Sequence, residues 1–230
     1  MHSSRVAYSL LCLAVGFVAS QNSTDDTGPV PGDDGPGATI TNETSSLVIP
    51  VDPSDRTAGP GQAIVVNKCS SPVYLWSVSA DKTSAVHELE ANGGRYVERM
   101  HAPSTGGVSM KVHKTRNDGN IPACTPDRWD CHLTQFEYTL VPDQNKVYYD
   151  ISFVNCAQGK DAGNCPGHAS GVTVECANGN NKNCPVQHCA PGAFCPHEVY
   201  YHCGAPCNTP DPTKATGKSR DLVYTLCTGN

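Results

Sequence analysis

From residue 61 onward, apolar positions come in short bursts separated by turn-forming residues. AIVVN (63–67) and VYLWSV (73–78) flank KCSSP, a Ser-Pro turn. RYVER (95–99) follows the NGG turn at Asn92, and VSMKV (108–112) follows TGG. FEYTL (136–140) and VYYDISFV (147–154) are separated by VPDQNK, a hairpin-length turn. GVTVEC (171–176), EVYYH (198–202) and LVYTL (222–226) complete the series. Runs rich in Val, Ile, Tyr and Phe and bounded by Gly, Pro, Asn and Ser read as strands, and this many predict an all-β sandwich or barrel. Side chains alternate across a strand, so Val147, Tyr149, Ile151 and Phe153 share one face, the one expected in the core. By the same count Trp76 stands with Tyr74 and Val78, opposite Val73 and Leu75, and is expected to be a core residue. No window carries a clear helical period; only Ser84 to Leu89 suggests a short helix.

The first sixty residues have a different texture. Arg5, the apolar run Ala7 to Val18 and the small residues of Val18-Ala19-Ser20 read as a secretory leader over residues 1–20, cut before Gln21. Residues 21–60 hold six Pro, five Gly and ten Ser or Thr, with seven acids against one base, Arg56, and no Cys or aromatic residue. Such a stretch buries too little apolar surface to offset its ordering entropy, so an extended, disordered acidic arm is expected. Asn22 and Asn42 begin N-glycosylation sequons in it. Residues 61–230 are close to charge-neutral and carry no basic stripe, which argues against a nucleic-acid partner. No second apolar run is long enough to span a membrane, and the last ten residues carry no hydrophobic anchor signal.

Export changes the meaning of the cysteines. Thirteen are present, and removing Cys12 with the leader leaves an even set: 69, 124, 131, 156, 165, 176, 184, 189, 195, 203, 207 and 227. An even set in an oxidising medium reads as a disulfide framework. The alternative is zinc held by Cys184, Cys189, His188 and His197, but an odd number of thiols taken by a metal would strand a free one; no metal and no cofactor are expected. His188, His197 and His202 are expected to cap or pack around disulfides. The segment 156–207 is dense in Gly, Pro and Asn and is expected to form a loop lobe held by bridges, its own core being too small. The spacing of Cys124 and Cys131 suits a local loop staple.

AIVVNKCSSPVYLWSV resembles the opening strand pair of thaumatin-like proteins, and more closely the fungal antigenic thaumatin-like, or Blastomyces yeast-phase-specific, family. FEYTL and KVYYDIS resemble its middle and LVYTLC its end, while the likeness fades over 156–220. The resemblance implies a flattened β-sandwich in which the first cysteine bridges the last, here Cys69 to Cys227. It also implies a cleft: Glu137 matches the cleft Glu and Asp150 its first Asp, the next Asp falls at Asn155, the Arg falls near Val112 with Lys111 or His113 as substitutes, and the last Asp has no match.

Two chemistries can use these residues. If Leu140 pairs with Val147, Glu137 lies directly opposite Asp150, at a separation compatible with retaining glycoside hydrolysis. Carbohydrate can instead be bound without cleavage, by an aromatic ring under a sugar face with polar neighbours gripping hydroxyls. Trp129, beside Arg128 and Asp130, is the best platform; Tyr148, Tyr200 and Tyr201 are weaker candidates. A mature Gln21 rather than His removes a copper monooxygenase, and neither a zincin helix nor G-x-S-x-G occurs. The expectation is therefore a secreted extracellular or cell-wall glycoprotein. It should be monomeric and non-catalytic, and bind β-glucan through Trp129, Arg128, Tyr148, Glu137 and Asp150. The alternatives are a weak β-glucan hydrolase using Glu137 and Asp150, and an effector or inhibitor that meets a host or extracellular protein.

Overall fold

The computed structural model describes residues 60–124, 128–177, 184–202, 213–216 and 221–229. The leader, most of the arm, both sequons, Cys203 and Cys207 lie outside the described residues.

Strands β1 (Gln62–Asn67), β2 (Val73–Val78), β3 (His87–Leu89), β4 (Gly94–Arg99), β5 (Val108–His113) and β6 (Leu133–Val141) make up the first half. The second half comprises β7 (Lys146–Asn155), β8 (Val172–Cys176), β9 (Gln187–Cys189), β10 (Val199–Tyr200), β11 (Thr213–Thr216) and β12 (Leu222–Leu226). They form a five-stranded sheet in the order β4-β1-β12-β8-β9 and a seven-stranded sheet in the order β10-β7-β6-β5-β2-β3, with β11 also on β7. The first and last strands lie side by side in parallel, Ala63 against Leu222 through Asn67 against Leu226. Their ends are clasped by a Cys69–Cys227 disulfide across a sequence separation of 158. The fold is an all-β, two-sheet sandwich.

Alternation drives the packing. Phe136, Tyr138, Tyr149, Ile151 and Phe153 turn inward and are essentially fully buried, against Val65, Val174, Leu222 and Tyr224 of the other sheet. Each such side chain contributes on the order of 1.5–3 kcal/mol. Polar links also cross the two sheets: Glu98 on β4 accepts hydrogen bonds from Tyr138 on β6 and from Tyr96, both at 2.7 Å, and the Tyr224 hydroxyl on β12 donates to the Glu137 carbonyl on β6 at 2.8 Å.

Three expectations need correction. Residues 87–89 form an edge strand paired to β2, not the end of a helix, because pairing with Val73 to Leu75 satisfies the backbone where no amphipathic face exists. The expected strand at 198–202 contracts to Val199–Tyr200, since Tyr201 turns into the core. The cysteine-rich stretch is not a lobe with a small core of its own. Its β8 lies inside the five-stranded sheet, between β12 and β9, and β10 pairs with β7 in the other. Cys156, Cys165, Cys189, Cys195, Val199 and Tyr201 belong to the same buried cluster as β1 and β6. Among the described residues its bridges are local: Cys156–Cys165, Cys176–Cys184 and Cys189–Cys195. Gly167 makes the close approach possible: its φ is +82°, and a Cβ there would meet Leu226 at 2.5 Å.

Candidate functional site

The outer face of the seven-stranded sheet is unusually polar for a surface so well covered. Leu140 does pair with Val147, so the register sets Glu137 directly opposite Asp150, with Ser109 of β5 on the other side of Glu137. The neighbouring row runs Trp76, Lys111, Gln135, Ser152. Gln135 donates to Ser152 Oγ at 3.3 Å and accepts from Ser109 Oγ at 3.2 Å, so the floor between the strands is tied together. Trp76 is buried as expected, but on this outer face rather than between the sheets. Its indole Nε1–H donates to the Gly119 carbonyl at 3.1 Å, in a turn folded over the sheet.

Electrostatically, Asp150 is strongly perturbed. Burial is the main cause, followed by the adjacent Glu137 charge and a hydrogen bond with Glu137, and together they hold its carboxyl well above the usual range. These causes favour the protonated form of Asp150, beside Glu137. Its Oδ1 has no hydrogen-bond partner among the described residues. Burial pushes the Lys111 ammonium down, opposed by the attraction of Glu137. Lys111 thus stands beside Glu137, where the resemblance implied an Arg. His113, the other substitute, is turned away: its Nδ1 accepts from the Thr115 backbone N–H at 2.9 Å.

The sugar-binding candidates separate into two groups. Tyr148 lies on the same face as Asp150, two residues along β7, and is half-buried. Arg128 and Trp129 sit in the loop closed by Cys124–Cys131, at the far end of β7. The anchor is Asn155, whose Nδ2 donates to the Arg128 carbonyl at 2.9 Å. One extra residue in β7 between the Leu133–Asn155 and Gln135–Ser152 pairs turns Asn155 onto this face. Five residues of strand place it roughly 15 Å from Asp150. Asn155, at the position of a cleft carboxylate, is therefore a loop anchor. Trp129 is 41% exposed, and Arg128 makes a two-pronged ion pair with Asp130, both contacts 2.8 Å. Tyr201 is no platform, being buried with its hydroxyl accepting from Cys195 N–H at 3.0 Å. Tyr200 is half-buried.

The histidines also differ from expectation. His188, His197 and His202 are exposed, so they are not buried against the described bridges. His168 is buried: its Nε2 lies 3.0 Å from the Ala193 carbonyl, and its ring meets Phe153 edge-on at 5.6 Å. Among the described residues no group of three or more His, Cys, Asp or Glu is placed to hold a metal, and no helix is long and apolar enough to cross a membrane. The residues missed from sequence were Ser109, Gln135, Ser152, His168 and Phe194. Only the strand register could have collected the first three, since the polar residue types alone are ordinary surface ones.

An all-β sandwich whose first and last strands are bridged, with further local disulfides, defines a class of extracellular disulfide-stapled domain. The chain belongs to the family described as Blastomyces yeast-phase-specific protein, which it matches over residues 51–228. The matched span includes 156–220. The chain is 29% identical over 186 residues to the secreted thaumatin-like protein calA of Emericella nidulans, covering 80% of this chain and 90% of that protein. It is 30% identical over 173 residues to the antigenic thaumatin-like protein of Arthroderma benhamiae, covering 74% and 72%. Among solved structures it is similar to the protein elicitor MoHrip2 from Magnaporthe oryzae, with 20% identity, a TM-score of 0.48, and coverage of 73% of this chain and 99% of that one. The protein is thus a secreted thaumatin-like protein of the extracellular space.

Proposed function

We propose that this is a non-catalytic carbohydrate-binding protein of the fungal cell wall or its surroundings, with β-glucan as ligand. The observation that carries the reading is the Glu137–Asp150 pair. Hydrolysis needs two carboxyl groups on either side of a glycosidic bond. Here the two carboxyls stand side by side, at directly opposed positions of adjacent strands on one sheet face. What remains is a fixed set of hydroxyl-gripping groups: the Asp150 and Glu137 carboxyls, the Lys111 ammonium and Tyr148. Trp129 and Arg128 supply a separate aromatic contact at the other end of β7. In this reading the mature chain is a monomer glycosylated at Asn22 and Asn42, with residues 1–20 as leader and 21–60 as linker.

Retention of the full chain on insoluble β-glucan at low salt tests the proposal; protein recovered entirely in the unbound fraction would end it. Glu137→Gln should weaken retention about tenfold, the loss of one charge-assisted hydrogen bond. A weak hydrolase is the second reading, favoured by the raised Asp150 carboxyl, which would serve as general acid. It requires sugar release from laminarin that disappears in Glu137→Gln. A protein partner is the third reading. It is favoured by Phe194, which is 43% exposed on the Cys189–Cys195 loop while Lys160 stands 5.4 Å from its ring centroid.

A further inference from the structure

The outer face of the five-stranded sheet departs from the rule that one face of a strand is apolar and the other polar. Ala63 and Val65 of β1 point into the core, yet Ile64 and Val66 on the opposite face are apolar too. The register extends this into a row across three strands, Val97–Ile64–Val223, ending at Glu175 of β8. Val97 is 48% exposed, one of three large hydrophobic residues so exposed among those described. Parallel strand pairs with apolar residues on both faces belong to sheets covered on both sides, and β1 and β12 are such a pair.

The face is also polarised. Arg95 and Arg99 flank Val97 on β4, both exposed, while Glu175 occupies the opposite end of the row. The chain enters at the basic end, since Met100 N–H donates to the Gly61 carbonyl at 2.9 Å. The residues before that point read LVIPVDPSD, 47–55: four aliphatic side chains followed by two acids. They are the densest apolar run of the arm, and the family match begins inside them, at residue 51.

We propose that residues 47–55 dock on this face, with Leu47, Val48, Ile49 and Val51 over Val97, Ile64, Val66 and Val223, and Asp52 and Asp55 toward Arg99 and Arg95. Reach permits it: the six residues from Asp55 to Gly61 span up to about 20 Å, against about 13 Å between Arg95 and Arg99 along β4. Pro50 and Pro53 lack the N–H that a paired strand needs, so the segment covers the face with side chains rather than extending the sheet past β4. Glu175 repels the acids and fixes the direction. The expected featureless arm is on this account featureless only up to about residue 46.

Amide hydrogen exchange on the full-length protein tests this directly. Residues 48–58 should exchange about tenfold more slowly than an unstructured chain. Two independent variants should restore the unstructured rate: Val97→Lys on the sheet, and Ile49→Asp in the segment, which lies outside the sandwich core and leaves it folded. Arg95→Glu with Arg99→Glu should weaken protection, and Asp52→Lys with Asp55→Lys in the same chain should recover it. Exchange of 48–58 at the unstructured rate in the parent protein would overturn the proposal. Protection indifferent to both Val97→Lys and the arginine changes would overturn it equally, because the segment would then rest elsewhere.

Discussion

The sandwich proper and the cysteine-rich stretch solve the same problem by different means. In the sandwich, two sheets bury a continuous layer of large apolar side chains, and a single Cys69–Cys227 bridge joins chain ends 158 residues apart. In 156–202 the spacing between bridged cysteines is nine residues or fewer, and buried polar groups take over part of the packing. There the Ala193 carbonyl meets both His168 Nε2 at 3.0 Å and the Tyr201 hydroxyl at 3.3 Å. Loop-closure entropy grows with the logarithm of loop length, so the long bridge stabilises by about 5 kcal/mol and each short one by about 2.5 kcal/mol. The long bridge acts on the fold as a whole. The short ones hold irregular backbone that would otherwise be free to open locally.

That contrast can be broken most forcefully at the long bridge. Cys69→Ser with Cys227→Ser should cost about 5 kcal/mol, seen as a large fall in the urea midpoint of the whole domain or as failure to accumulate folded protein. Cys189→Ser with Cys195→Ser should cost about half as much. Its signature should be regional, with faster amide exchange over 187–201 and unchanged exchange in β6 and β7; a uniform rise would mean that the two regions are not separable. Gly167→Ala, which drives a Cβ into Leu226 from a left-handed backbone, should cost about 2 kcal/mol and lower the melting midpoint of both regions together, because Gly167 sits where they meet.

Smaller effects sharpen the picture at the site. Asp150 has a folded pKa above its unfolded value, so its contribution is fully present below the ordinary carboxylate pKa. It is lost as pH rises toward the raised value, because the unfolded chain ionises first. Asp150→Asn should remove that pH dependence and raise stability at pH 7 by on the order of 1 kcal/mol; denaturation curves at pH 4 and pH 7 check it, and an unchanged slope would contradict the raised Asp150 carboxyl. The smallest effect is expected at the exposed loop. Trp129→Ala should leave the melting midpoint in place and reduce only glucan retention, separating binding from stability.

Much of this molecule was legible before its structure. Val147, Tyr149, Ile151 and Phe153 are all buried as the alternation required, and the Glu137–Asp150 pairing, conditional in the sequence on Leu140 meeting Val147, holds because that register is the one taken. The bulge that turns Asn155 to its loop was not legible, because one extra residue in a ten-residue strand leaves no mark on composition. Nor was the destination of β8. GVTVEC reads as a strand, but nothing in six residues says which sheet it will enter.

The chain alone determined what depends on near neighbours: the two-residue alternation that makes strands, the even set of exported cysteines, and the acidic, proline-rich texture of the arm. The three-dimensional arrangement decided what depends on register and on contacts far apart in sequence. It chose which residues share a face, which of four histidines is buried, and that the cysteine-rich stretch completes both sheets instead of hanging from one. The physical reason is that side-chain direction is a local property of the backbone, whereas burial is set by whatever distant segment arrives to cover it.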